Sequence, residues 1–244
     1  MTKFIVNFFM FAMSLHGISC MAQSDSSQIK SEKKIKTEFS TEINSAYVWR
    51  GMYNDPKPNI QPSFSIAYKD FTVGVFGSNN LDNTYREFDS YISYSLAGFV
   101  VTLNDYFCDF SKNYSDYGAK SPHLIDLTLE YEIGDVHQFS ALASSIVYGD
   151  DKQQKYIINS KNIQNYSTYL QTSYTYNIDH KSFSFLLGGT THNGMYANKL
   201  NITNIGFEFA KESNLSSLFK YTPKFGLWIN PYNNLLLFNC GIEF

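Results

Sequence analysis

The sequence is short of charge, of cysteine and of long apolar runs, and each shortage removes a class of protein. Charged residues make up 17% of the 244 residues, against roughly 25% in an ordinary soluble domain. The net charge is only −3, and no basic run is longer than Ser31-Glu-Lys-Lys-Ile-Lys36. Nucleic acid therefore has no electrostatic foothold and is not expected as a partner. The one prominent apolar run, Phe4 to Met13, is broken by Asn7 and is too short to span a bilayer as a helix. No H-x-x-x-H or C-x-x-C spacing occurs, so neither a metal nor a cofactor is expected.

That apolar run follows Lys3 and precedes Cys20-Met-Ala22, a small-x-small pattern ahead of Gln23. Residues 1–22 thus read as a cleaved signal peptide. Processing as a lipoprotein at Cys20 is the alternative, favoured by Ser19 and opposed by Gly17. Residues 23–34 are polar, rich in Ser and Lys, and read as a flexible lead-in to a single domain at 35–244. Export leaves Cys108 and Cys240, far apart in the chain and expected as free thiols.

Aromatic residues, in contrast, are abundant at 17%, with 21 Phe and 19 Tyr. They fall into a period-two pattern. The last ten residues place Leu236, Phe238, Cys240, Ile242 and Phe244 on one face and Asn239, Gly241 and Glu243 on the other. Similar alternation recurs over 35–50, 60–68, 71–78, 87–96, 99–110, 123–133, 139–148, 166–178, 183–190, 201–210 and 219–229. That is roughly twelve strands, most long enough to span a membrane when tilted. The odd-numbered connections, at 51–58, 79–86, 111–122, 149–165, 191–200 and 230–234, are longer than the even-numbered ones except for the last. A secreted sandwich has no reason to sort its loops by parity. The fold class expected is all-β, a transmembrane up-and-down antiparallel barrel that closes its first strand on its last. Two strands resist a facing assignment. Over 99–110, Asp105 and Asp109 share a face with Phe99, Val101 and Leu103, and 139–148 presents apolar residues on both faces.

If the barrel is read from alternation, Glu42, Arg50, Lys69, Glu87, Asp89, Asp126, Glu130, Glu132, Glu208, Lys220, Lys224 and Glu243 point inward among small residues such as Ser63, Ser65, Ser93 and Gly188. Two readings follow. The charged side chains screen solutes in a water-filled channel, or they pair across a narrow lumen and plug it. Acids exceed bases in this set, a slight lean towards cations. Arg50 is expected to pair with Glu87 or Asp89 in a structural role rather than to gate solute. Trp49, Tyr68, Tyr166 and Tyr176 lie at strand ends and read as an interfacial aromatic girdle. No histidine shares a strand face with Ser or Asp in a catalytic arrangement, so no enzyme is expected.

Several stretches resemble the TorF-type porins of Gram-negative outer membranes. They are Ser45-Ala-Tyr-Val-Trp-Arg-Gly51, Ile60-Gln-Pro-Ser63, Gly98-Phe-Val-Val-Thr-Leu-Asn-Asp-Tyr106 and the closing strand, in that order. The resemblance implies an outer-membrane barrel and a pore, and brings no substrate and no catalytic residue. A strand ending in Phe also looks like the assembly signal of such barrels, which makes Phe244 the expected point of recognition by the barrel assembly machinery. The partners expected are then outer-membrane lipids, that machinery and small hydrophilic solutes. The rivals to a channel are a non-conducting structural or surface-binding barrel and, more remotely, a membrane enzyme.

Overall fold

The computed structural model describes residues 35–118, 121–153, 163–216 and 219–244. The expected signal peptide, Cys20 and the lead-in lie outside the described residues. Twelve long strands form one antiparallel sheet: β1 Lys36–Asn44, β2 Asn59–Tyr68, β3 Phe71–Asn80, β4 Arg86–Leu96, β5 Phe99–Phe107, β6 His123–Ile133, β7 His137–Gly149, β8 Thr168–Ile178, β9 Lys181–Thr190, β10 Asn201–Lys211, β11 Lys220–Asn230 and β12 Leu235–Glu243. Each pairs with its neighbours in sequence, and β1 pairs with β12, so the sheet closes. Closure leaves no long free edge, which is what a strand-built membrane protein requires.

The outer wall is apolar. Phe39, Ile43, Phe64, Ile66, Val73, Ile92, Val101, Leu103, Leu127, Leu129, Leu170, Leu187, Ile205, Leu227 and Phe238 all stand exposed on it. An unbroken apolar belt of this extent is incompatible with water and fits hydrocarbon. At the short-turn end the belt ends in aromatic pairs, Phe71 on Tyr94 at 4.7 Å, Phe99 on Tyr131 at 4.5 Å, Phe139 on Tyr174 at 5.1 Å and Phe183 on Phe209 at 5.1 Å. Tyr68 and Tyr176 join this girdle. Tyr166 is exposed in the long connection before β8.

Both ambiguous strands are now assigned. Phe99, Val101 and Leu103 of β5 face outward, and Asp105 continues that face near the long-loop end. Its carboxylate is covered there: Oδ1 lies 2.6 Å from His123 Nδ1 and Oδ2 accepts from the Tyr117 hydroxyl at 2.6 Å. The 109–118 stretch lies against the outside of the wall, with Tyr114 against Phe88, Phe107 and His123. In β7, Leu142 and Ile146 point inward, while Phe139, Ala141, Val147 and Tyr148 point outward. A bulge between Ile125 and Asp126 of β6 opposite Val147 lets two successive β7 residues share the outer face.

Loop lengths follow parity less cleanly than expected. Because β3 runs on to Asn80, the odd connection at 81–85 is shorter than the even one at 212–219.

Candidate functional site

The largest departure from expectation is in the first strand, read as continuous over 35–50. The wall strand stops at Asn44 instead, and Ser45 to Asp55 turns into the barrel. There Tyr47–Trp49 pairs with Met52–Asp55 as a small hairpin whose turn, Arg50 and Gly51, has φ of 48° and 76°. Glycine takes such a φ without strain, and Arg50 is held in it by its contacts.

Alternation continues along the hairpin, but now both faces are covered. Tyr47 and Trp49 join Tyr106, Leu142, Tyr169 and Tyr196 in one buried cluster, and Val48 joins Leu186, Trp228 and Leu237 in another. Trp49 is therefore not a girdle residue. Its ring lies 6.0 Å from that of Tyr106 and 5.8 Å from that of Tyr196, inside the barrel. The signal was legible. Ala46-Tyr-Val-Trp49 is four apolar or aromatic residues in succession, the mark of a strand buried on both sides rather than of one facing lipid.

Arg50 fastens the hairpin to the far wall. Nη2 lies 2.9 Å from Asp126 Oδ2 on β6, and Nη1 donates to the Tyr196 hydroxyl at 2.5 Å. The guanidinium also lies over the Trp49 and Tyr169 rings, 4.5 and 5.3 Å from their centroids. Asp126 accepts in addition from Ser144 Oγ at 2.6 Å and from the Tyr106 hydroxyl at 3.2 Å. Burial pushes the Tyr196 phenol up to about 12, partly offset by Arg50, so it meets the guanidinium as a neutral acceptor. The expected partners Glu87 and Asp89 are thus wrong for Arg50, because the hairpin carries it past β4 to β6. On the near side, Asn230 Nδ2 donates to the Gly51 carbonyl at 2.9 Å.

The other residues expected in the lumen divide into four groups. Glu42 and Glu243 face each other across the closing seam, with Lys224 Nζ 2.6 Å from a carboxylate oxygen of each. Glu87, Asp89, Glu130 and Glu208 face inward and form no salt bridge with another described residue. Glu87 accepts from the Tyr85 hydroxyl at 2.7 Å, Asp89 from the Phe107 N–H at 3.3 Å and Glu208 from Trp228 Nε1 at 3.1 Å. Lys69 and Lys220 are exposed at the short-turn end, Lys69 over the outward Tyr68 ring. Neither lines the narrow part of the lumen. Lys69 sits in a two-residue turn, where alternation no longer decides direction. The Gln138 side chain hydrogen-bonds Glu132.

Much of the inward wall is polar, and several of its polar atoms lack a protein partner among the described residues. Gln61 Nε2, Ser93 Oγ, Asn104 Oδ1, Asn204 Oδ1 and Glu208 Oε2 are buried, and none has a hydrogen-bond partner among the described residues. Such atoms are costly unless something polar meets them.

One histidine, His123, pairs with an aspartate on the neighbouring strand, Asp105. Its other nitrogen, Nε2, lies 2.6 Å from the Tyr114 carbonyl, so both ring nitrogens are occupied within the protein.

No protein-family model and no curated protein sequence matches the chain. Among solved structures it is similar to an outer membrane channel from Pseudomonas putida F1, at 12% identity over 85% of this chain and 93% of that one, with a TM-score of 0.44. It is also similar to OccK5 of Pseudomonas aeruginosa, at 11% identity over 88% of this chain and 68% of that one, with a TM-score of 0.36. A triple mutant of the Rhodopseudomonas blastica porin matches at 7% identity over 86% and 99% of the two chains, with a TM-score of 0.33. None of these likenesses carries a site residue, a solute or a role across to this chain.

Proposed function

We propose that the chain is an outer-membrane channel for passive passage of small hydrophilic solutes, constricted by its own inward hairpin. The observation that carries this reading is the polar lumen wall: Gln61, Ser93, Asn104, Asn204 and Glu208 keep buried polar atoms with no protein partner. A barrel built only as a scaffold is better served by an apolar or fully paired interior, as small barrels generally have. Water and hydrated solutes satisfy these atoms. Export by a signal peptide at 1–22, recognition of the closing strand by the assembly machinery, and kinship with TorF-type porins belong to the same proposal. The kinship is supported by the motifs at 45–51, 60–63 and 98–106, the first of which forms the hairpin.

A second reading, a non-conducting barrel, is favoured by that hairpin, since Arg50 and two apolar clusters hold it across the lumen. Planar-bilayer recording separates the two. Discrete conductance steps from folded, heat-modifiable protein are expected, and their absence from such a sample sinks the channel reading.

A further inference from the structure

The inward turn of the chain at Asn44 has a second consequence, at the barrel wall. Strand β12 pairs with β11 along its whole length, from Leu235 against Asn230 to Glu243 against Thr222. Its other edge pairs with β1 only from Gly241 to Glu243, followed by the reciprocal backbone bonds of Phe244 and Thr41 at 3.0 and 3.3 Å. Above this, Ser45 N–H donates to the Cys240 carbonyl at 2.8 Å, and Cys240 N–H donates to Ser45 Oγ at 2.9 Å. From Phe238 to Leu235, no strand pairs with that edge among the described residues. Four residues of strand span about 13 Å, a stretch of wall closed by side chains of the hairpin and not by a backbone ladder.

One side chain bonds the backbone of this edge. Tyr53, on the returning arm of the hairpin and exposed, donates its hydroxyl to the Phe238 carbonyl at 3.4 Å. It also accepts from the Phe238 N–H at 3.0 Å. One phenol thus takes the place of a backbone rung on an edge that would otherwise leave both polar groups of Phe238 unpaired. The surroundings are apolar on both sides. Inside lie Val48, Leu186, Trp228 and Leu237, all buried. Outside lie Leu236, 67% exposed, Phe238 and Ile43. The floor, in contrast, is polar, with Asn239 accepting from the Ala46 N–H at 3.1 Å and donating to Asn44 Oδ1 at 2.9 Å.

We infer that this seam is a lateral exit, through which molecules with an apolar tail pass between the long-loop end of the lumen and the surrounding leaflet, with Tyr53 as its latch. Side-chain hydrogen bonds can be exchanged one at a time, unlike a zipped ladder. The apolar cluster behind the latch gives a tail a continuous surface to follow. The exit depends on the barrel lying in an outer membrane but not on ionic conduction, so silent planar bilayers leave it standing.

The test uses the full chain in cells whose outer membrane excludes the apolar dye N-phenyl-1-naphthylamine. Expression should raise dye uptake, and Tyr53→Cys in a Cys108→Ser background should raise it about fivefold further, since two hydrogen bonds that hold the closed state are removed. Bridging the introduced thiol to the exposed Cys240 with a reducible bis-maleimide should abolish the gain, and reduction should restore it. Entry of a small hydrophilic β-lactam, read by periplasmic hydrolysis, should not change on bridging. Equal dye uptake in the parent, Tyr53→Cys and bridged proteins overturns the exit. So does a rise in both probes that bridging leaves in place, the mark of a general leak. Folding is checked by heat-modifiable migration. Should Tyr53→Cys not fold, Tyr53→Phe keeps the ring and loses only the hydroxyl. It must still raise dye uptake, and no rise counts against the latch.

Discussion

Arg50 shows how much one side chain can set in this molecule. It is a buried cation on a turn with a positive φ, tied to Asp126 and Tyr196 and stacked on two aromatic rings. Removing one partner of a buried ion pair leaves the other uncompensated and commonly costs about 3–5 kcal/mol. Water in the lumen softens this, so Arg50→Ala is expected to lower stability by about 2 kcal/mol, measured by urea unfolding in detergent micelles. It should also raise mean single-channel conductance, because the hairpin loses its tie to β6. Unchanged conductance from the folded variant would mean that the hairpin does not constrict the path. A second residue-scale prediction concerns the rim. Lys57 Nζ lies 2.6 Å from Asp82 Oδ2, and the bonds from Lys57 and Thr84 hold the exposed Asp82 carboxyl down at about 2. A carboxyl depressed on folding contributes above its unfolded pKa, and that contribution fades as pH falls through about 2. Lys57→Ala should move the Asp82 titration up towards the ordinary value of about 3.9, as followed by carboxyl NMR.

At the scale of the element, the closing strand is held to β1 by few backbone rungs and by Phe244. That residue exchanges backbone bonds with Thr41 and sets its ring 5.8 Å from Phe219 in the aromatic girdle. Deleting Phe244 should therefore reduce the fraction of heat-modifiable protein recovered in membranes, and full recovery would remove its role in assembly. This strand was legible from alternation alone, as were β2, β4, β6 and β9. In those, one face meets hydrocarbon and the other the lumen, and the pattern records that contrast directly. Where a segment has the same surroundings on both sides, alternation loses its meaning. That is why Tyr47–Trp49 passed for wall, and why Asp105, sheltered by Tyr117 and His123 on the outside, looked misplaced on a lipid face. The inward direction of Glu87, Asp89, Asp126, Glu208 and Lys224 could be read locally. Their pairing could not, because the inward turn of the chain decides which wall Arg50 reaches.

For the whole molecule, the balance of fixed charge decides what the lumen favours. Lys224 is shared between Glu42 and Glu243, and Arg50 is matched by Asp126. That leaves Glu87, Asp89, Glu130, Glu132 and Glu208 as inward carboxyl groups with no salt bridge among the described residues. Glu87 and Asp89 lie on one face of β4, two residues apart, beside the Tyr47 end of the hairpin. In a narrow lumen with low-dielectric walls, such groups draw cations and repel anions over roughly a Debye length, about 10 Å at 0.1 M salt. The channel should then be cation-preferring, with a reversal potential in a salt gradient that moves towards the cation limit. The preference should weaken from 0.1 M to 1 M salt, as the screening length falls to about 3 Å. Neutralising the pair as Glu87→Gln with Asp89→Asn should shift the reversal potential towards zero, whereas Lys220→Gln, at the exposed short-turn end, should leave it nearly unchanged. If the double variant and the parent reverse at the same potential, selectivity is not set at the level of β4. The constriction beside the Arg50–Asp126 ion pair then becomes the place to look, since there a fixed cation and a fixed anion cancel and size alone does the sorting.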